Sequence, residues 1–168
     1  MGQIVTPGAL PGLAEEARRA GRRVGFTNGV FDLLHVGHLR YLRAARALGD
    51  LLVVGLNDDA GTRRLKGPLR PIVPEGERAE LLAALEPVDR VVLFGTPTAV
   101  DLIGLLRPAI YVKGGDYAAG PGGVGKVLPE AEAVRAYGGE VGIIPFVPER
   151  STSGIVERII AGHRPPGE

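Results

Sequence analysis

Phe26-Thr27-Asn28-Gly29-Val30-Phe31-Asp32-Leu33-Leu34-His35-Val36-Gly37-His38 is the stretch from which the rest of the chain can be read. Val24 to Thr27 are short and apolar, as in a first buried strand. Asn28-Gly29 suits a sharp turn. From Leu39 to Leu48 apolar residues recur at helical spacing, and Gly49-Asp50 close that helix. Two of the chain's three histidines therefore fall where a strand gives way to a helix. His35 and His38 lie three residues apart, which puts both imidazoles on one side of the first helical turn. First-turn amides are unpaired and point outward, so a phosphate can dock there against the positive end of the helix dipole. Gly37 has no Cβ and would let a triphosphate come close to the backbone. Phosphoryl-type transfer needs positioning and donors around developing negative charge more than covalent help, and two imidazole N–H groups suit that work. A lone loop histidine is ordinarily a surface residue, and His-x-x-His is also a zinc spacing. The zinc reading lacks the metalloprotease glutamate, any cysteine and any distant histidine other than His163.

Outward from this stretch, apolar runs alternate with helix-period segments. A short leading helix is expected over Leu13 to Ala20 and a second strand over Leu51 to Leu56. Pro74-Glu75 open a helix to about Glu86, with Leu81, Leu82 and Leu85 on its inner face. Val91 to Phe94 read as a third strand, Ala99 to Leu106 as a helix and Ala109 to Val112 as a fourth strand. A glycine-rich stretch, Gly120 to Gly125, precedes a helix near Glu130 to Tyr137. Val141 to Pro145 form the fifth strand and Ser151 to Ala161 the closing helix. Unalternating apolar strands between helices predict a Rossmann-like, three-layer α/β/α fold around a five-stranded parallel sheet. Ligands in such sheets sit beyond the carboxyl ends of the strands, where the winding reverses. With no internal repeat and no linker, residues 1–168 read as one domain, with a leading segment over 1–22 and a frayed tail over 163–168.

The 168 residues suffice for a substantial core, and 45% hydrophobic with 23% charged residues is a globular balance. A net charge of +1 supplies no field for a nucleic acid or an anionic membrane, so any bound anion must be held by local groups. Cysteine is absent, which excludes disulfides, thiolate metal sites and a cysteine nucleophile. No secretory core or run of 18 apolar residues is present, so a soluble cytoplasmic protein is expected, without membrane or nucleic-acid partners.

Two patterns are decoys. Gly120, Gly122 and Gly125 fit the dinucleotide spacing, and Gly120 to Lys126 nearly fit a P-loop. No strand runs into them, Val127 stands where a magnesium-binding hydroxyl belongs, and Pro129 follows. Ala118 to Lys126 read instead as a flap near the site.

The His35-Val36-Gly37-His38 motif resembles that of the cytidylyltransferase-like nucleotidyltransferases, and the likeness extends from about Arg23 onward. The stretches that carry it are Thr27 to His38, Leu65-Lys66-Gly67 with Arg70-Pro71, Glu77-Arg78, Val112 to Tyr117, Leu128 to Glu132, Gly138 to Val141 and Arg150 to Ser153. Within the family these are most similar to the heptose 1-phosphate adenylyltransferases, which occur alone or behind a sugar kinase; a stand-alone version is expected here. The resemblance implies catalytic roles for His35, His38, Lys66 and Arg78. It implies nucleotide contacts from Thr27, Asn28, Gly29, Phe31, Gly37, Asn57, Lys113, Gly115, Asp116, Ser151, Thr152 and Ser153. It also implies Mg²⁺ with ATP, a sugar phosphate as second substrate, and a possible homodimer.

Each has a plainer reading. Lys66 lies in a basic run, Arg63 to Pro68, expected as a mobile loop, where it could be a solvated turn residue or a cation that follows phosphate oxygens. Arg78 could grip phosphate in a bidentate way or lie on a solvated helix face. Asp116 could face the second substrate or a metal, or simply form a turn. Ser151 to Ser153 are ordinary helix caps as well as phosphate ligands. Related cytidylyltransferases carry an arginine where this chain has Phe146-Val147, with Arg150 as a substitute nearby, which argues against the glycerol-phosphate branch. The expected reaction is adenylyl transfer to a sugar 1-phosphate. The alternatives are cytidylyl transfer to an alcohol phosphate and a nucleotide sensor without turnover.

Overall fold

The computed structural model describes residues 1–115, 128–145 and 151–162. The chain opens with β1 (Gln3–Val5), a 3-10 turn (Pro7–Ala9) and α1 (Leu10–Arg19). Then come β2 (Val24–Gly29), α2 (Val36–Arg46), β3 (Leu51–Asn57), α3 (Asp59–Lys66) and α4 (Glu75–Ala84). β4 (Arg90–Phe94), α5 (Val100–Leu106), β5 (Ile110–Gly114), α6 (Pro129–Arg135), β6 (Glu140–Ile144) and α7 (Thr152–Gly162) complete it. Among the described residues the sheet has six strands in the order β1-β4-β3-β2-β5-β6, every neighbouring pair parallel.

Alternation along the strands feeds two cores. Leu52, Val54 and Leu56 point to the face covered by Leu42 and Ala45 of α2 and Leu82 of α4. Val53, Phe26 and Tyr111 point the other way, toward Leu10 of α1, Ile103 of α5 and Val134 of α6. Each leucine buried in this way is worth about 1.5–3 kcal/mol over exposure. The expected three layers are present.

Three details differ from the sequence reading. The sheet has a sixth strand, because Gln3-Ile4-Val5 pairs with Arg90-Val91-Val92 at the edge. A three-residue, half-exposed edge strand stopped by Pro7 carries too little periodicity to be seen. The basic run expected as a loop is helical as far as Lys66, started by Asp58, whose carboxylate accepts from the Gly61 amide. Leu81 is half exposed, since α4 turns Arg78, Ala79, Leu82 and Ala83 inward and Leu81 falls on the opposite side.

The winding places the site. From β2 the chain steps outward to β3 and β4, then crosses back to lay β5 on the other flank of β2. The reversal therefore lies between β2 and β5, beyond Asn28-Gly29 and Lys113-Gly114. That is where the two histidines begin α2.

Candidate active site

His35 is the N-cap of α2, with extended backbone (φ −142°, ψ 170°), and its Nδ1 accepts from the Gly37 amide at 3.1 Å. That bond assigns the His35 proton to Nε2. The His38 amide donates to the His35 carbonyl at 2.9 Å. The amides of Gly37 and His38 are thus engaged within the turn, contrary to the expectation of open first-turn amides. Those rings stack with centroids 3.9 Å apart and 23° between planes. Phe31 backs His38 at 5.4 Å. Phe31 itself is buried with φ +46°, a conformation that costs a non-glycine residue energy and recurs at functional sites. Its ring leans over Gly29, where a Cβ would come within 3.0 Å, so Gly29 makes room for Phe31.

His38 Nδ1 is buried without a hydrogen-bond partner. Burial, and next the charge of His35, push the His38 pKa from 6.5 down to about 4. In the free protein His38 is therefore a neutral ring. An NMR titration of its ring protons is expected to show a midpoint near 4 rather than 6.5. The linkage follows: as pH falls through 6.5 the unfolded chain takes up a proton that the folded one refuses, so this residue lowers stability progressively toward pH 4 and not above 6.5. A His38 midpoint at the ordinary value would refute this environment.

The remaining expected residues separate into two groups. Lys113 Nζ donates to Asn28 O at 3.1 Å and to Asn28 Oδ1 at 3.2 Å, and the Tyr111 hydroxyl donates to the same Oδ1 at 2.8 Å. Burial lowers the Lys113 pKa and nearby Lys66 lowers it further, while Glu130 raises it. Lys66, exposed at the end of α3, is thus brought electrostatically close to Lys113. Gly115 has φ +124° and donates its amide to Ile144 O at 3.1 Å, a conformation that demands glycine. Ser151 Oγ accepts from the Gly154 amide, so it caps α7 as expected, and Thr152 Oγ1 reaches Leu33 O at 3.4 Å. That last contact brings the Ser151-Thr152-Ser153 cluster to the loop that carries His35.

Other expected site residues have buried side chains. Thr27 is fully buried, and its hydroxyl lies 2.6 Å from Tyr41 Oη, which donates to Val112 O. The hydroxyl thus fastens α2 to the sheet. Asn57 is buried and its carbonyl accepts from Arg78. Arg78 is wholly buried: Nε donates to Val73 O, one terminal nitrogen to Val30 O and Asn57 O, and the other to Asp59 Oδ1 at 2.7 Å. With four of its five donors so used, Arg78 is a clasp between segments and not an open grip for phosphate. Asp116, the flap Ala118 to Lys126, and Phe146-Val147 with Arg150 lie outside the described residues.

Several contributors escaped the sequence reading. Asp32, nearly inaccessible, accepts from the amides of Ile72 and Val73 and pairs with Arg70 at 2.7 Å, so it ties the loop before α4 to the histidine loop. Glu130 is likewise a buried polar group, and the partly buried Tyr41 bonds Thr27 and Val112 O. Asp32 and Glu130 fall in the quoted stretches and Tyr41 in none of them; an aspartate after a turn and a glutamate at a helix start look ordinary. A groove of about 360 Å³ beside Arg22, Arg107 and Tyr137 lies at the amino ends of β2, β5 and β6, across the sheet from this chemistry.

The profile of the cytidylyltransferase-like family matches residues 26–156, from β2 into α7. The chain belongs to this family. Curated relatives include the bifunctional protein HldE of Trichlorobacter lovleyi, 55% identical over 85% of this chain and 28% of that protein. The HldE protein of Syntrophotalea carbinolica is also 55% identical, over 90% of this chain and 30% of its own length. The chain thus spans less than a third of these relatives. A crystal structure of the lipopolysaccharide core biosynthesis protein from Thermoplasma volcanium is 32% identical with a TM-score of 0.58, covering 76% of this chain and 98% of that one. Membership of the cytidylyltransferase-like family fits the site at the β2–β5 reversal. Among the described residues no helix is long and apolar enough to cross a membrane, and no three His, Asp or Glu side chains converge as a metal cage.

Proposed function

We propose that this domain, residues 1–168, transfers AMP from ATP to a sugar 1-phosphate, with heptose 1-phosphate as the first candidate, and works in the cytoplasm. The observation that carries the reading is the stacked His35–His38 pair at the start of α2, at the sheet's winding reversal. The HldE relatives and the neighbour named for lipopolysaccharide core biosynthesis support a sugar acceptor. A phosphate oxygen of the acceptor attacks the α-phosphorus of ATP. The new P–O bond forms as the α–β bridge breaks, and pyrophosphate departs with that electron pair. The attacking oxygen is already anionic, so no enzyme base or nucleophile is needed. His35 and His38 donate to the triphosphate, Lys66 and Lys113 add positive charge, and Asn28, Gly115 and the Ser151–Ser153 cluster line the nucleotide side. Asp116 is assigned to the second substrate. Magnesium enters as MgATP, held chiefly by phosphate oxygens and water, a common mode for this ion.

The test is pyrophosphate release with ATP or CTP over a panel of sugar and alcohol phosphates. Release with ATP and a heptose 1-phosphate is expected. Turnover confined to CTP with glycerol 3-phosphate would replace this reading, and ATP binding without turnover would reduce the protein to a nucleotide sensor.

A further inference from the structure

A glutamate sealed beneath the nucleotide edge has no part in the chemistry above. Glu130, the second residue of α6, is 6% exposed. Its Oε1 accepts from the Ala99 amide at 3.0 Å, just ahead of α5, and from Asn28 Nδ2 at 3.5 Å. Asn28 presents the opposite side of its amide to Lys113 and Tyr111. One carboxylate therefore joins the start of α5 and the start of α6 to the end of β2, and through Asn28 to Lys113 of β5.

Hydrogen bonding alone does not call for a charge here. An amide at position 130 could accept from Ala99 and Asn28 equally well. What an anion adds is electrostatic: Lys113 sits in surroundings that disfavour its ammonium, with Lys66 of α3 adding repulsion. Lys113 has three N–H donors, and two are directed at Asn28. The third is the one that can meet an anion.

We infer that Glu130 is a positioning residue for nucleotide binding, which acts through Asn28 and Lys113 to hold an ammonium donor in place at the carboxyl edge of β5. The inference rests on the proposed nucleotide site but not on turnover. Its electrostatic part is separable from its structural part. Among the described residues, the groups bearing on Lys113 are Glu130 from α6, Lys66 from α3, and Tyr111 and Asn28 through the shared amide.

Glu130→Gln keeps the shape and the acceptor oxygen while removing the charge. The chain has three lysines, Lys66, Lys113 and Lys126, so the ε-methylene signals of ¹³C-lysine-labelled protein can be assigned with a Lys113→Arg variant. Titration between about pH 7 and pH 11 spans the ordinary lysine range. Removing the anion removes the influence that raises the Lys113 pKa, so its midpoint is expected to fall below that of the wild-type protein. ATP affinity, measured calorimetrically at several pH values, is expected to match wild type near neutral pH and to weaken relative to it progressively toward alkaline pH as Lys113 loses its proton earlier.

An unchanged Lys113 midpoint would overturn the inference. So would a loss of affinity equal at every pH, which is what a purely structural glutamate gives. A wild-type protein that binds no ATP would overturn it together with the nucleotide site. A wild-type protein that binds ATP but releases no pyrophosphate defeats only the proposed reaction, and both readouts for Glu130 then still decide its role.

Discussion

Replacing His38 with alanine is expected to slow pyrophosphate release by about 10²–10³-fold, the loss typical of one preorganised donor at developing negative charge. The fall should appear mainly in kcat, since a donor whose bond tightens as pyrophosphate departs stabilises the transition state more than bound ATP. His38 is neutral in the free protein, so its contribution lies in a positioned N–H and not in a permanent charge. His38→Gln, which can offer a side-chain N–H, should accordingly recover part of the loss. His35→Ala is a less clean experiment. It removes the acceptor for the Gly37 amide as well as a donor to the ligand, and an N-cap of this kind is worth about 1 kcal/mol. Steady-state kinetics beside thermal melting separates the two contributions. Full activity in His38→Ala would dismiss the paired-imidazole site.

The parts of this molecule legible in its sequence are those where local pattern and tertiary role agree. Leu51 to Leu56 is an unbroken apolar run because both sheet faces are covered, and the histidine motif stands out because two rare residues share one turn. Reading failed where burial contradicts residue type. Thr27, Arg78 and Glu130 are polar and sit inside, where partners from distant segments satisfy them: Tyr41, Val30 and Asn28 lie 14, 48 and 102 residues away in sequence. No local pattern encodes such partners. The same is true of α3, whose basic end from Arg63 to Lys66 resembles a loop in the absence of the distant start that the Asp58 cap gives the helix. Arginine illustrates the general difficulty, because its type predicts solvent or phosphate and only the packing reveals a carbonyl cage.

That cage predicts a second large effect. Arg78→Met, which fills similar volume without donors, leaves the carbonyls of Val73, Val30 and Asn57 and the carboxylate of Asp59 without their shared partner. Breaking a buried ion pair by removing one member costs about 3–5 kcal/mol, against a total domain stability of about 5–15 kcal/mol. Urea denaturation should show that loss directly, and for a domain of this size it corresponds to a drop of roughly 6–20 °C in Tm. Arg78→Lys should fall between the two proteins, because a single ammonium cannot reach acceptors arranged around a planar fork. Activity is expected to decline as well, through displacement of the Val30 end of the histidine loop and of α3 with Lys66. A phosphate-gripping arginine would give the reverse pattern: a raised KM for ATP with stability unchanged. The melting curve of Arg78→Met therefore discriminates between the role implied by family resemblance and the role implied by four hydrogen bonds from a buried guanidinium.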